Sequence, residues 1–145
     1  LSRHTQDNYG RDKPHARYLD FIRGWYCALQ EAHIPFDVMS DKLITADRLS
    51  RYDAVIVSNL ACVDDALEGV LQGFVAGGGG LVAGYDAGRF TLDGAARERP
   101  AFAGLLGIHY LGRREGLKSS YAKLEGRNDP LLDGIGDTDV IPNEG

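Results

Sequence analysis

An α/β fold is predicted, a three-layer open parallel sheet of the doubly wound kind, and three observations carry it. The runs Val55-Ile56-Val57 and Leu81-Val82-Ala83 are continuously apolar rather than alternating, as in parallel strands covered on both faces. A helical stripe lies between them with only short turns on either side, making a βαβ unit with a right-handed crossover. An amphipathic helix and a short extended segment come before that unit, which is the layering of an open sheet.

The elements follow in chain order. Leu1 to Lys13 reads as a polar loop whose one aromatic is Tyr9. Pro14 suits a first helical turn, where its missing N–H costs nothing. From His15 to Ala32, Tyr18, Leu19, Ile22, Trp25, Tyr26 and Leu29 recur at three- and four-residue spacing, one apolar stripe for the core. His33-Ile34-Pro35 ends that helix, because a residue before proline avoids the helical region.

Phe36 to Met39 reads as a short strand, and Asp41 to Tyr52 as a loop with one helical turn. Asp53 to Asn59 is the first long strand. Asp64 caps the next helix, Asp65 and Glu68 suit its positive end, and Ala66, Leu67, Val70, Leu71, Phe74 and Val75 form its buried stripe. Gly77 to Gly80 stops the helix, and Leu81-Val82-Ala83 runs into Gly84-Tyr85-Asp86-Ala87-Gly88. Beyond this the pattern loosens. Ala101 to Leu106 reads as a helical turn, Ile108 to Leu111 and Tyr121 to Leu124 as short strands, and Pro130 to Leu132 as a further turn. Residues 1–145 read as one domain, incomplete at both ends and cut from a larger chain, so an exposed sheet edge or a partner's strand is expected.

Composition narrows the function. Apolar residues make up 43% and charged residues 26%, while the 19 glycines are nearly twice the usual share of about 7%, so many turns need unusual backbone. Net charge is −5 and the basic residues are scattered, so no nucleic-acid surface is expected. No apolar run approaches the roughly 18 residues of a membrane span, and no signal peptide is visible, which reads as a cytoplasmic protein. Cys27 and Cys62 form no paired motif and read as reduced, partly buried thiols.

Ligands of open α/β sheets bind outside the carboxyl ends of the strands. Those ends carry Ser58, Asn59 and Cys62, then Tyr85, Asp86 and Arg89; Asn59, Tyr85, Asp86 and Arg89 are the candidate ligand-binding residues. Gly84 to Gly88 has the frame of a nucleophile elbow, with Asp86 in the nucleophile's place. A carboxylate cannot perform thiolate chemistry, and no histidine follows nearby as its base, so Asp86 reads as a turn-stabilising side chain. His4, His15, His33 and His109 are isolated, which gives a metal site no support. The four glycines lack the lysine and hydroxyl of a phosphate cradle. The pairs Asp64–Asp65 and Asp137–Asp139 read as acidic loop residues. No catalytic residue, metal or cofactor is expected.

Arg23-Gly24-Trp25-Tyr26, Ala28-Leu29, His33 to Val38, Tyr52 to Val57 and Phe74 to Ala83 stand in an order that resembles the trimerisation domain of glycoside hydrolase family 42 β-galactosidases. Related domains follow the catalytic barrel in hypothetical glycosyl hydrolases. The likeness runs from Tyr18 to Gly88, about half the chain, and Gly104 to Ile108 and Asp129 to Leu132 extend it weakly. It implies a class I glutamine amidotransferase-like, flavodoxin-type fold that lacks the amidotransferase cysteine. It also implies a non-catalytic oligomerisation role, with a homo-oligomer (dimer or trimer) and a separate (β/α)8 barrel domain as partners. Nothing resembling that barrel is present, so no hydrolase residue carries over. A rival reading is a small sugar-binding or hydrolytic protein of the trehalose-utilisation type, which shares the fold and uses the strand ends.

Overall fold

The structure, a computed structural model, describes residues 1–10, 18–112, 120–125, 129–135 and 138–143. The chain forms two compact units, 1–110 and 111–145. The expected helix start at Pro14 and His15, and Asp137 of the second acidic pair, lie outside the described residues.

In the first unit the opening segment is helical, not the expected polar loop. A single turn, α1 (Arg3–Thr5), is capped by the Ser2 hydroxyl, which accepts from Thr5 N–H at 3.2 Å. A wider turn over Gln6–Gly10 follows and buries Tyr9. Helix α2 (Tyr18–Glu31) ends in His33 at φ 55°. Ile34 N–H donates to Leu29 O and His33 N–H to Gln30 O, the paired bonds of a Schellman turn. The stop is thus made before Pro35 is reached.

Residues 34–40 are extended but form no ladder, so the strand expected at Phe36 to Met39 is not realised among the described residues. Asp41 to Tyr52 holds a 3₁₀ turn (Asp41–Leu43) and a short helix, α3 (Ala46–Leu49), whose cap is Thr45. Strand β1 (Ala54–Ser58), helix α4 (Asp65–Ala76) and strand β2 (Gly80–Gly84) are the predicted βαβ unit. The strands are parallel, in register Ala54↔Gly80 through Ser58↔Gly84. The Asp64 carboxylate accepts from Leu67 N–H at 2.8 Å, as its place in the sequence predicts. At the other end Gly78 takes φ 99°, and a Cβ on Gly79 would fall 2.3 Å from the Phe74 ring.

The core lies on one face of this sheet. Val55 and Val57 of β1 and Leu81 and Ala83 of β2 meet Leu67, Val70, Leu71 and Phe74 of α4, with Phe102 closing the cluster. The opposite face is less covered than an all-apolar strand implies: Val82 is 43% exposed. The sheet is two-stranded among the described residues, so the observed architecture is a mixed α/β fold with small sheets. Residues 101–106 form successive turns, closed by Leu106 N–H on Phe102 O at 2.9 Å. Residues 108–112 show no ladder, against the strand expected at Ile108 to Leu111.

The second unit pairs β3 (Ser120–Lys123) with β4 (Val140–Asn143) antiparallel, around a 3₁₀ turn at Pro130–Leu132. The sequence reading found β3 and the turn but not β4, which contains a proline. Leu124 N–H donates to Asp139 O, so bonded pairs alternate from there, and Pro142 opposite Tyr121 falls where no ladder N–H is needed.

Candidate functional site

Both strands of the parallel sheet end in a left-handed residue, Asn59 at φ 56° and Tyr85 at φ 55°. Asparagine reaches that region at modest cost; tyrosine does so only when its surroundings hold it there. Backbone bonds supply the hold. Gly88 N–H donates to Leu60 O, Phe90 N–H to Ala61 O, and Val63 N–H to Phe90 O, which ties the turn after β2 to the segment after β1. Cys62 and Phe90 form a parallel bridge in consequence.

The four predicted strand-end residues have unlike surroundings. Asn59 is fully buried, and its side-chain N and O have no hydrogen-bond partner among the described residues. Tyr85 is 42% exposed, and its ring lies 4.9 Å from that of Phe21 on α2. The Asp86 carboxylate accepts a hydrogen bond from the buried Tyr9 hydroxyl. Arg89 is built into the loop: its guanidinium donates to Tyr110 Oη at 3.1 Å and to Arg97 O, and it stacks 4.6 Å from the Tyr110 ring centroid.

The elbow frame is therefore only partly realised. A nucleophile elbow passes from strand through one strained residue into a helix, with the nucleophile at the strained position. Here the strained residue is Tyr85, one place before Asp86. The chain continues through a turn into the bridge at Phe90, not into a helix. Among the described residues no three His, Cys, Asp or Glu side chains gather as a metal site, and no helix is long and apolar enough to cross a membrane.

The sequence reading missed the part played by the opening segment. Thr5 Oγ1 accepts from Cys62 N–H at 3.1 Å, Asn8 Nδ2 donates to Leu92 O at 2.6 Å, and Tyr9 packs on Phe90 as well as bonding Asp86. A lone aromatic in a polar stretch was the available signal.

The two thiols differ as their surroundings dictate. Cys27 is exposed; Cys62 is buried, and burial pushes its thiol above the ordinary range, with the Thr5 contact opposing. A raised folded-state value means Cys62 adds stability at neutral pH that is lost as pH climbs past the ordinary thiol value of about 8.5. At pH 8 a disulfide reagent should label Cys27 promptly and Cys62 roughly tenfold or more slowly, because Cys62 needs local opening. Mass spectrometry of timed samples reads this directly, and equal rates would place Cys62 at the surface.

A concavity lies elsewhere. A groove of about 630 Å³ runs between α2, residues 34–39 and β1. Ile22, Trp25, Tyr26 and Leu29, the α2 stripe assigned to the core, line it instead, and Trp25 and Tyr26 are exposed there. Phe36 meets Tyr26 edge-on at 5.1 Å on the same wall.

Residues 2–112 match the family described as the β-galactosidase trimerisation domain. No curated protein matches the chain. A solved structure, a β-galactosidase from Bifidobacterium adolescentis, is similar with a TM-score of 0.63 at 18% identity over 85% of this chain. The match spans 60% of that solved chain, and at such identity the likeness is one of fold.

Proposed function

The chain belongs to the β-galactosidase trimerisation domain family, and from that membership we propose a non-catalytic assembly domain of a glycoside hydrolase, associating with further copies of itself. The family match over residues 2–112 carries this reading. A class I glutamine amidotransferase-like, flavodoxin-type fold of three layers and a cytoplasmic location are parts of the same proposal. So is a single domain over residues 1–145, within a longer polypeptide whose catalytic barrel is its partner.

The strand ends support assembly over chemistry. The strained position of the turn holds Tyr85 rather than a thiolate, and the Tyr9 hydroxyl engages the Asp86 carboxylate. Arg89 is committed to Tyr110 and Arg97. Of the strand-end residues Tyr85 is exposed and Asn59 is fully buried, so a small ligand at this end would meet Tyr85 before Asn59.

Sedimentation of the full-length protein across a wide concentration range should give a mass of two or three copies. The 145-residue chain alone should cleave neither a chromogenic galactoside nor glutamine. A strictly monomeric full-length protein at high concentration would overturn the assembly role. Cleavage by the isolated chain that disappears in Asp86→Asn would overturn the non-catalytic one.

A further inference from the structure

A polar cleft of about 500 Å³ opens where α4 meets residues 97–105. Its apolar part is Pro100, Ala101 and Leu105, the first two of them buried. The rest is charged or amide. Glu68 and Gln72 come from α4, and Arg97 and Arg99 from the segment after the bridge of Phe90 with Ala96. The volume lies within the range of small-molecule sites, roughly 300–1,000 Å³. Such sites are mostly apolar, so a cleft lined by charges suits a polar ligand.

The two arginines have different surroundings. Arg97 is tied down: its Nη2 donates to Val63 O and to the Asp65 carboxylate, both at 3.0 Å, and its side chain is 18% exposed. Its Nη1 stops 4.0 Å from Glu68 Oε2, too far for a hydrogen bond. Glu68 Oε1 accepts from the Gln72 amide at 3.1 Å, which leaves Oε2 to be met. The Glu68 side chain is 23% exposed, and a carboxylate so enclosed is costly unless both oxygens find donors. Arg99 is the reverse case, exposed and with no ion pair or hydrogen bond among the described residues. It is nevertheless positioned. Its guanidinium lies against Gly104, where a Cβ would fall 2.1 Å from Nη2, so the glycine is what admits it.

We propose that this cleft binds a small hydroxy acid, its carboxylate on Arg99 and a hydroxyl donating to Glu68 Oε2. The donors and acceptors decide the class. Arg97 has its counter-charge in Asp65, whereas Arg99 has none, and a guanidinium fork takes a carboxylate through two parallel bonds. A bare anion would meet Arg99 but also the charge of Glu68. A neutral polyol would meet Glu68 but leave the guanidinium without an anion. A ligand carrying both groups answers both, and Pro100 and Leu105 supply apolar surface for the C–H groups between them. The cleft shares no residue with the strand ends, and its ligand is independent of assembly with further copies of the chain.

Gluconate is the probe, with sorbitol as its neutral counterpart of equal chain length and acetate as an anion without hydroxyls. Hydrogen exchange of the full-length protein, read by mass spectrometry, localises the binding whatever other parts of the protein do. Gluconate should slow exchange over residues 97–105. Sorbitol and acetate should each need a concentration about tenfold higher or more for equal slowing. Arg99→Ala should weaken the gluconate response about tenfold or more, and Arg99→Lys, which keeps the charge but loses the fork, should fall between. Gly104→Ala keeps Arg99 but pushes its guanidinium aside, and should weaken the response as well. No slowing by gluconate at any concentration the protein withstands would end the proposal. So would slowing that survives both Arg99→Ala and Gly104→Ala. An equal response to acetate would mean an adventitious ion only, and an equal response to sorbitol would mean that Arg99 reads no carboxylate; either overturns it.

Discussion

Phe102→Ala should lower the unfolding free energy by about 3–5 kcal/mol, a large part of the roughly 5–15 kcal/mol that holds a domain together. Phe102 is fully buried and closes the cluster of Leu71, Val57 and Val63 on the sheet face that α4 covers. It sits on successive turns rather than on a helix or strand, so little regular structure remains to keep residues 101–106 in place once the ring is gone. The loss would show as a lower urea midpoint at an unchanged slope. A loss below about 1 kcal/mol would mean that this segment does not pack on the sheet as described.

Gly88→Ala is expected to be nearly as costly, for two separable reasons. Gly88 lies at φ +73°, where an alanine costs about 1–2 kcal/mol, and its new Cβ would stand 3.0 Å from Phe102 Cδ2 and 3.1 Å from Ala101 Cβ. Crowding of that kind adds about 1–3 kcal/mol. The Phe102→Ala background removes the ring but keeps the backbone conformation and the Ala101 contact. The second substitution should therefore cost less there, with a coupling of order 1 kcal/mol between the two sites. Additive losses would show that the ring is not what the new methyl meets.

What the sequence disclosed of this fold was whatever is decided locally. The Asp64 cap, the α4 stripe and the glycine stop are set by neighbours a few residues away, and each stands where its residues place it. β1 and β2 were legible because buried parallel strands are continuously apolar. Pairing is not local. Phe36 to Met39 has strand composition but no ladder, since that depends on what lies beside it. Strand β4 was hidden by Pro142, whose tolerance depends on a register that no single sequence displays. The α2 stripe was visible as a stripe; its facing a groove was not. At the strand ends, left-handed Asn59 belongs to a residue type that favours such a position, whereas Tyr85 does not.

The opening ten residues illustrate a further cost of non-local structure. Their contacts reach Cys62, Asp86 and Leu92, which lie 57, 77 and 84 positions along the chain. Every one of those partners sits in a turn or bridge that follows β1 or β2 and is placed by their alignment. Thr5, Asn8 and Tyr9 thus lack these partners until that region has condensed, and closing such long loops is an entropic toll with no early return. The segment should dock last in folding and detach first in the native protein. Native-state exchange would then find the Thr5 amide opening at a smaller free energy than that of Val57. Tyr9 leaves Asp86 in that excursion, so the strand ends are uncovered by a partial unfolding that spares the βαβ unit beneath them.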